Sequence, residues 1–286
     1  MDSRDYICAF PIHSMDDVPA DFEVPSGLSD LVTGVFLPQS DWDWLRRPAY
    51  PARLLLMSSD ALWVIPHPET KAPNTRVPLS GLESIECGRI LLLGWIGLHW
   101  VGDEQTYRYN RRFAYTLETF LTRLKASWLR RKAGVERPPV WEYGSPLTDK
   151  FEYAQQNEIN TADEELLIRF FQPALRSVRG RLWRRLTWVS ADLIVLTDRR
   201  LLWIAEQYKQ AHEPYGTISR SAAIAAIDEI RYRVVDHQPH LHIQLGSGDV
   251  WRVHVNEGCA EHASSFCAAI RTALSGTAMD HCSPRL

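Results

Sequence analysis

Long hydrophobic runs are missing from this chain of 286 residues. The longest, Ile90 to Leu98, is broken by Gly94 and Gly97. A bilayer-spanning helix needs about 20 apolar residues, so no transmembrane helix is expected. Cysteine is scarce and scattered: Cys8, Cys87, Cys259, Cys267 and Cys282 form no CxxC pair. That excludes the usual structural zinc spacing and fits free thiols in a reducing cytoplasm. The opening MDSRDYICAF has neither the basic n-region nor the long apolar h-region of a secretory leader. Nucleophile and nucleotide signatures are absent as well: there is no GxSxG, GxxxxGKS/T, GxGxxG or HExxH. No cofactor and no enzyme activity are expected from such a chain. An excess of basic charge is also lacking, since 32 Lys+Arg stand against 35 Asp+Glu. With no recognition helix or zinc-finger pattern, nucleic acid is not an expected partner.

The charge that is present is unevenly placed. Residues 1–27 hold one basic and six acidic side chains, whereas residues 28–133 hold 14 basic and 10 acidic. Residues 134–162 are acidic again, and they carry Pro138, Pro139, Gly144 and Pro146. The reading is an acidic N-terminal segment (1–27), a first domain (28–133), a Pro/Gly-containing linker (134–162), a second domain (163–276) and a tail (277–286).

The two domains read as one unit written twice. LLLMSSDALWVIP (Leu54 to Pro66) resembles IVLTDRRLLWIAE (Ile194 to Glu206) at an offset of 140, which sets Trp63 on Trp203. GDEQTYRYN (Gly102 to Asn110) resembles GDVWRVHVN (Gly248 to Asn256) at an offset of 146. In LHIQL-GSGD-VWRVHV, apolar Leu241, Ile243, Leu245, Trp251, Val253 and Val255 alternate with His240, His242, Arg252 and His254. That is an antiparallel hairpin with one dry and one wet face. Each copy closes in a helical stripe, Phe113, Leu117, Phe120, Leu121, Leu124 and Trp128 in the first, Ala263, Phe266, Cys267, Ile270, Ala273 and Leu274 in the second. Gly276 is the expected C-terminal cap.

Short antiparallel strands closed by one amphipathic helix resemble the pleckstrin-homology-like superfold. LTDRRLLWI (Leu196 to Ile204) and VPLSGLESIE (Val77 to Glu86) are similar to bacterial PH-like and GRAM-like domains. SRSAAIAAIDEI in the second copy departs from that pattern. The resemblance covers residues 28–133 and 163–276. It implies a mostly β (α+β) protein of two tandem antiparallel β-barrel or sandwich domains, each closed by its C-terminal helix. It also implies binding of lipid headgroups or peptides in preference to catalysis.

The densest chemistry is RSVRGRLWRR, in a span from Leu166 to Ala191 without one acidic residue. Arg176, Arg179, Arg181, Arg184 and Arg185 with Trp183 would suit an anionic headgroup or an acidic partner. A solvated turn, or a face docked on the chain's own acidic segments, fits the same residues. Five cations at the end of the first helix, Arg123, Lys125, Arg130, Arg131 and Lys132, complement its dipole. His240, His242 and His254 share one strand face, as polar strand positions or as weak candidates for a metal site. Ser190, Asp192 and a nearby histidine could be drawn as a triad. The expectation is a cytoplasmic, non-catalytic scaffold that presents two PH-like surfaces to a protein partner. Weak anionic-phospholipid contact would place it peripherally at the inner membrane face, and a homo-oligomer is allowed. The alternatives are a metal-dependent or hydrolytic enzyme using the histidine face, and a structural subunit of a larger assembly.

Overall fold

Period-two alternation along most of the sequence is realised as strands. A computed structural model describes residues 8–28, 30–39, 51–90, 93–130, 141–159, 164–179, 185–208 and 214–280. The first half contains β1 (Phe10–Ile12), β2 (Leu31–Leu37), β3 (Arg53–Ser58), β4 (Ala61–Pro66), β5 (Thr75–Pro78), β6 (Leu82–Ile90), β7 (Leu93–Trp100), β8 (Asp103–Asn110) and α1 (Ala114–Leu129). The second half contains β9 (Trp141–Gly144), α2 (Asp149–Glu158), β10 (Leu166–Gln172), β11 (Leu175–Arg179), β12 (Arg185–Val189) and β13 (Asp192–Thr197). It continues with β14 (Arg200–Tyr208), β15 (Pro214–Ala223), β16 (Ile227–Val235), β17 (Gln238–Leu245), β18 (Val250–His254) and α3 (Ala260–Asp280). The described residues divide into two compact units, one within 1–82 and 91–131, the other within 83–90 and 132–286.

In the first unit β1 to β5 form one antiparallel sheet in chain order. One face of it carries Phe36, Leu54, Leu56, Trp63 and Ile65. The acidic N-terminal segment covers that face with Phe10, Ile12, Val18, Phe22 and Leu28. The α1 stripe is buried as its spacing requires: Leu117, Leu124 and Trp128 are inaccessible, and the Trp128 indole donates to the Leu82 carbonyl at 2.8 Å.

The second unit has a larger sheet, in which β6, β15, β14, β13, β10 and β9 are successive neighbours. All pairs are antiparallel except β9 with β10. A second sheet holds β16, β17 and β18 in order. The main core lies between the two sheets and α3. Phe170, Ile194, Leu196, Leu201, Leu241, Ile243, Trp251, Phe266 and Ile270 meet there. The other face of the large sheet, with Phe171, Leu193, Val195, Leu202 and Ile204, is covered by Phe151, Ile159 and Leu147 of the segment that reads as a linker.

Three expectations are corrected. No sheet closes into a barrel among the described residues, because β9, supplied by the linker segment, pairs beside β10 and extends the sheet. α3 runs past Gly276 to Asp280, since one glycine in a helix costs only about 1 kcal/mol. The offset of 140 is also wrong by one. The pairs Met57↔Leu62 and Leu196↔Leu201 each enclose a two-residue turn, which superposes the hairpins at an offset of 139. Trp63 then matches Leu202, and a one-residue slip reverses a strand's faces. Trp63 lies under the N-terminal cover, whereas Trp203 packs on the main core.

A buried ion pair ties the start of β10 to β14 and β15. The Arg200 guanidinium meets Glu164 through Nε and Nη2, both at 2.8 Å, and Nη1 donates to the Ser221 hydroxyl at 3.0 Å. Among the described residues the cysteines are free thiols; Cys282 lies outside them.

Docking of α3 is expected to carry much of the second unit's stability. Phe266 is fully buried and touches Phe170 and Tyr143. Phe266→Ala should cost about 3–5 kcal/mol in a denaturant titration; a loss below 1 kcal/mol, on the scale of an exposed substitution, would mean that the helix is not part of the core.

Candidate functional site

The five arginines and one tryptophan singled out in the sequence are only partly placed. Arg181, Trp183 and Arg184 lie outside the described residues. β11 and β12 form a two-stranded arm in which Arg176 is opposite Trp188, and Arg179 is opposite Arg185. The neighbouring Arg169 is paired within the fold, 2.7 Å from Glu142. At the end of the first helix, Arg123 donates to the Thr33 hydroxyl at 3.2 Å, and Arg131 and Lys132 lie outside the described residues.

The histidines come together, and they do so in company that the sequence does not announce. In the sheet β16–β18, His240 is directly opposite His254, and His242 is opposite Arg252. On the other side His240 is opposite Arg233 and His242 opposite Arg231. Opposed residues share a face, so three arginines and three histidines form one two-row patch. The pleat enforces it: the intervening Ile230, Leu241, Ile243, Trp251 and Val253 are at most 1% exposed and belong to the core. The His240 ring lies 4.0 Å from that of His254 and 6.0 Å from that of His242, centroid to centroid. Glu229 is the acid on this face, and it is bonded to Arg231.

All three imidazoles are held below the ordinary histidine value. For each the first cause is partial burial. The second is a neighbouring imidazole for His240 and His254, and the Arg233 guanidinium for His242. Interleaved guanidiniums oppose a bound cation and favour a bound anion. Among the described residues, no group of three or more His, Cys, Asp and Glu is arranged to hold a metal.

The hairpin joining β16 to β17 ends in Asp236 and His237, both left-handed with φ of 52° and 62°. That is the backbone a two-residue hairpin turn needs. Its shoulders expose Val234 and Val235, at 60% and 45%. The sequence hides this hairpin, because VVDHQP offers no turn glycine and places Pro239 in the second strand. Of these two, Val235 is on the face of Arg233 and His240, two residues along the strand, and Val234 is on the opposite face.

Behind the patch lies a buried polar network. Asp192 is inaccessible and accepts from the Trp203 indole (2.9 Å), the Gln172 amide (2.9 Å) and the Ser190 hydroxyl (2.8 Å). Gln172 also donates to the His254 carbonyl and accepts from the Asn256 N–H at 2.9 Å. Ser190 and Asp192 therefore do meet, but an amide and an indole complete the set and no imidazole does so among the described residues. At the offset of 139 the matching residue in the first half is Arg53, which stands 5.3 Å over the Tyr107 ring. Compared with known proteins, the chain matches no protein-family model and no curated protein.

Burial raises the Asp192 carboxyl to about 6, against the hydrogen bonds that would lower it. A carboxyl that binds its proton more tightly when folded stabilises the fold in acid. Its contribution is complete below the ordinary value and is lost as the pH rises through about 6. Asp192→Asn cannot ionise. Its stability relative to the unmutated chain should therefore improve by about 2–3 kcal/mol between about pH 4 and about pH 7. Urea denaturation across that range checks this, and a constant difference would mean that Asp192 titrates normally.

Proposed function

We propose that this chain is a non-catalytic binding protein of two pleckstrin-homology-like modules, whose second module holds an acidic protein partner on the cationic face of β16–β18. The observation that carries the reading is the register of that sheet, which sets Arg231, Arg233 and Arg252 around three partly buried imidazoles. The exposed Val235, which follows Arg233 on the same face, favours a partner with an apolar anchor next to its acids. The module assignment is supported by the repeated order of elements. β2 to β5 followed by β6 to β8 and α1 correspond to β10, β13, β14 and β15 followed by β16 to β18 and α3. In this scheme the β11–β12 arm is an insertion after the first strand. The two covering segments, Phe10 to Leu28 and Trp141 to Ile159, would each belong to the module that follows.

Hydrogen bonds to charged groups contribute about 1.5–3 kcal/mol each, so each arginine engaged is worth at least about tenfold in affinity. A fluorescent glutamate-rich peptide carrying one leucine should bind at low ionic strength and weaken as salt is added. The Arg231→Glu/Arg252→Glu chain should bind it at least about 100-fold more weakly. Unchanged affinity in that chain would overturn the assignment of the face. Phosphatidylserine vesicles that bind where the peptide does not would replace the protein partner with a membrane.

A further inference from the structure

We propose that anion binding at the β16–β18 face is proton-linked: His240, His242 and His254 take up protons as an anion docks, so the face holds its ligand more tightly in mildly acidic than in neutral solution. This rests on the binding reading above and assigns the regulation of the same site.

The geometry supplies the argument. Three imidazoles share a patch in which every directly opposed neighbour is a guanidinium or another imidazole. The charged groups facing them are Glu229, Arg231 and Arg233 from β16 and Arg252 from β18, with Asp236 and His237 at the hairpin turn. Glu229 is engaged by Arg231. Among the described residues no carboxylate forms an ion pair with any of the three rings, whereas His67 has two such partners and His99 has one. From the large sheet, the uncharged Gln172 amide is bonded to the His254 carbonyl. Nδ1 of His240 is buried and has no hydrogen-bond partner, so protonating that ring in the free protein gains no acceptor. A docked anion supplies the missing negative charge.

The direction then follows. In the free protein the rings are held below their ordinary value by partial burial and by neighbouring cations. A bound anion offsets those cations and raises the same groups. Affinity gained in this way is complete below the free value and is lost as the pH rises through the bound value. Each ring raised by about one unit adds about tenfold.

Sucrose octasulfate is a suitable ligand for the test, because its sulfates keep their charge across this range. Titration calorimetry of the full chain is expected to show binding at least about tenfold tighter at about pH 5.5 than at about pH 7.5. Repeating it in two buffers of different ionisation enthalpy should show net proton uptake. His240→Gln/His242→Gln/His254→Gln should flatten the pH profile, whereas Arg252→Gln should weaken binding at both pH values and leave a shallower pH dependence, because that guanidinium helps to hold His240 and His242 down. Binding with neither pH dependence nor proton uptake would overturn the linkage and leave the binding reading intact. A slope that survives in the triple glutamine chain would assign it to other groups and overturn the proposal. No binding at either pH would remove both readings. The two-buffer measurement uses the unmutated protein and so does not depend on any variant folding.

Discussion

The pleat of the C-terminal sheet is the constraint on which the rest depends. Successive side chains of a strand point to opposite faces, so Leu241, Ile243 and Leu245 cannot enter the core without turning His240, His242 and Gln244 outward. The register then decides which neighbours those histidines receive. Hydrophobic burial, the dominant favourable term in folding, thus fixes a polar arrangement in which a protonated imidazole would stand opposite a guanidinium, and like charges so placed repel. A patch of this kind persists because the opposite face of the same strands is buried.

The interior of the second unit shows two treatments of buried charge. Arg200 and Glu164 are matched two bonds to two bonds, with Ser221 and Thr197 completing the shell. Asp192 has donors but no cation, and burial prevails over its hydrogen bonds. The cost of an isolated charge in a poorly polarisable medium explains the difference. Gln172 turns that second centre into a brace: it joins the Asp192 carboxyl, the end of β18 and the approach to α3.

Much of the fold was legible in the residues. The stripes of α1 and α3 were readable because period 3.6 persisted over several turns. The β17–β18 hairpin was readable because apolar alternation continued on both sides of a glycine turn. The two similar hairpins were visible as well, but letter matching set Trp63 on Trp203, whereas the hydrogen-bonded turns align Trp63 with Leu202. The β16–β17 hairpin was not legible, since its left-handed turn uses Asp236 and His237 where glycine is the usual signal. For the candidate site, the three histidines were legible as one face. Arg231 and Arg233 were not assigned to it, because cross-strand register is a long-range property that no local spacing encodes.

The covering segments bear on where this chain can be cut. Phe36, Leu54, Leu56 and Ile65 are dry because Ile12, Phe22 and Leu28 lie on them, and Leu193, Val195 and Ile204 are dry because of Phe151 and Ile159. A fragment starting at residue 28 or 163, where composition suggests the modules begin, would leave one side of a β-sheet wet and greasy, a surface prone to self-association. Each of those sheets keeps a dry back only while the segment upstream of it, Phe10 to Leu28 or Trp141 to Ile159, stays attached as its lid.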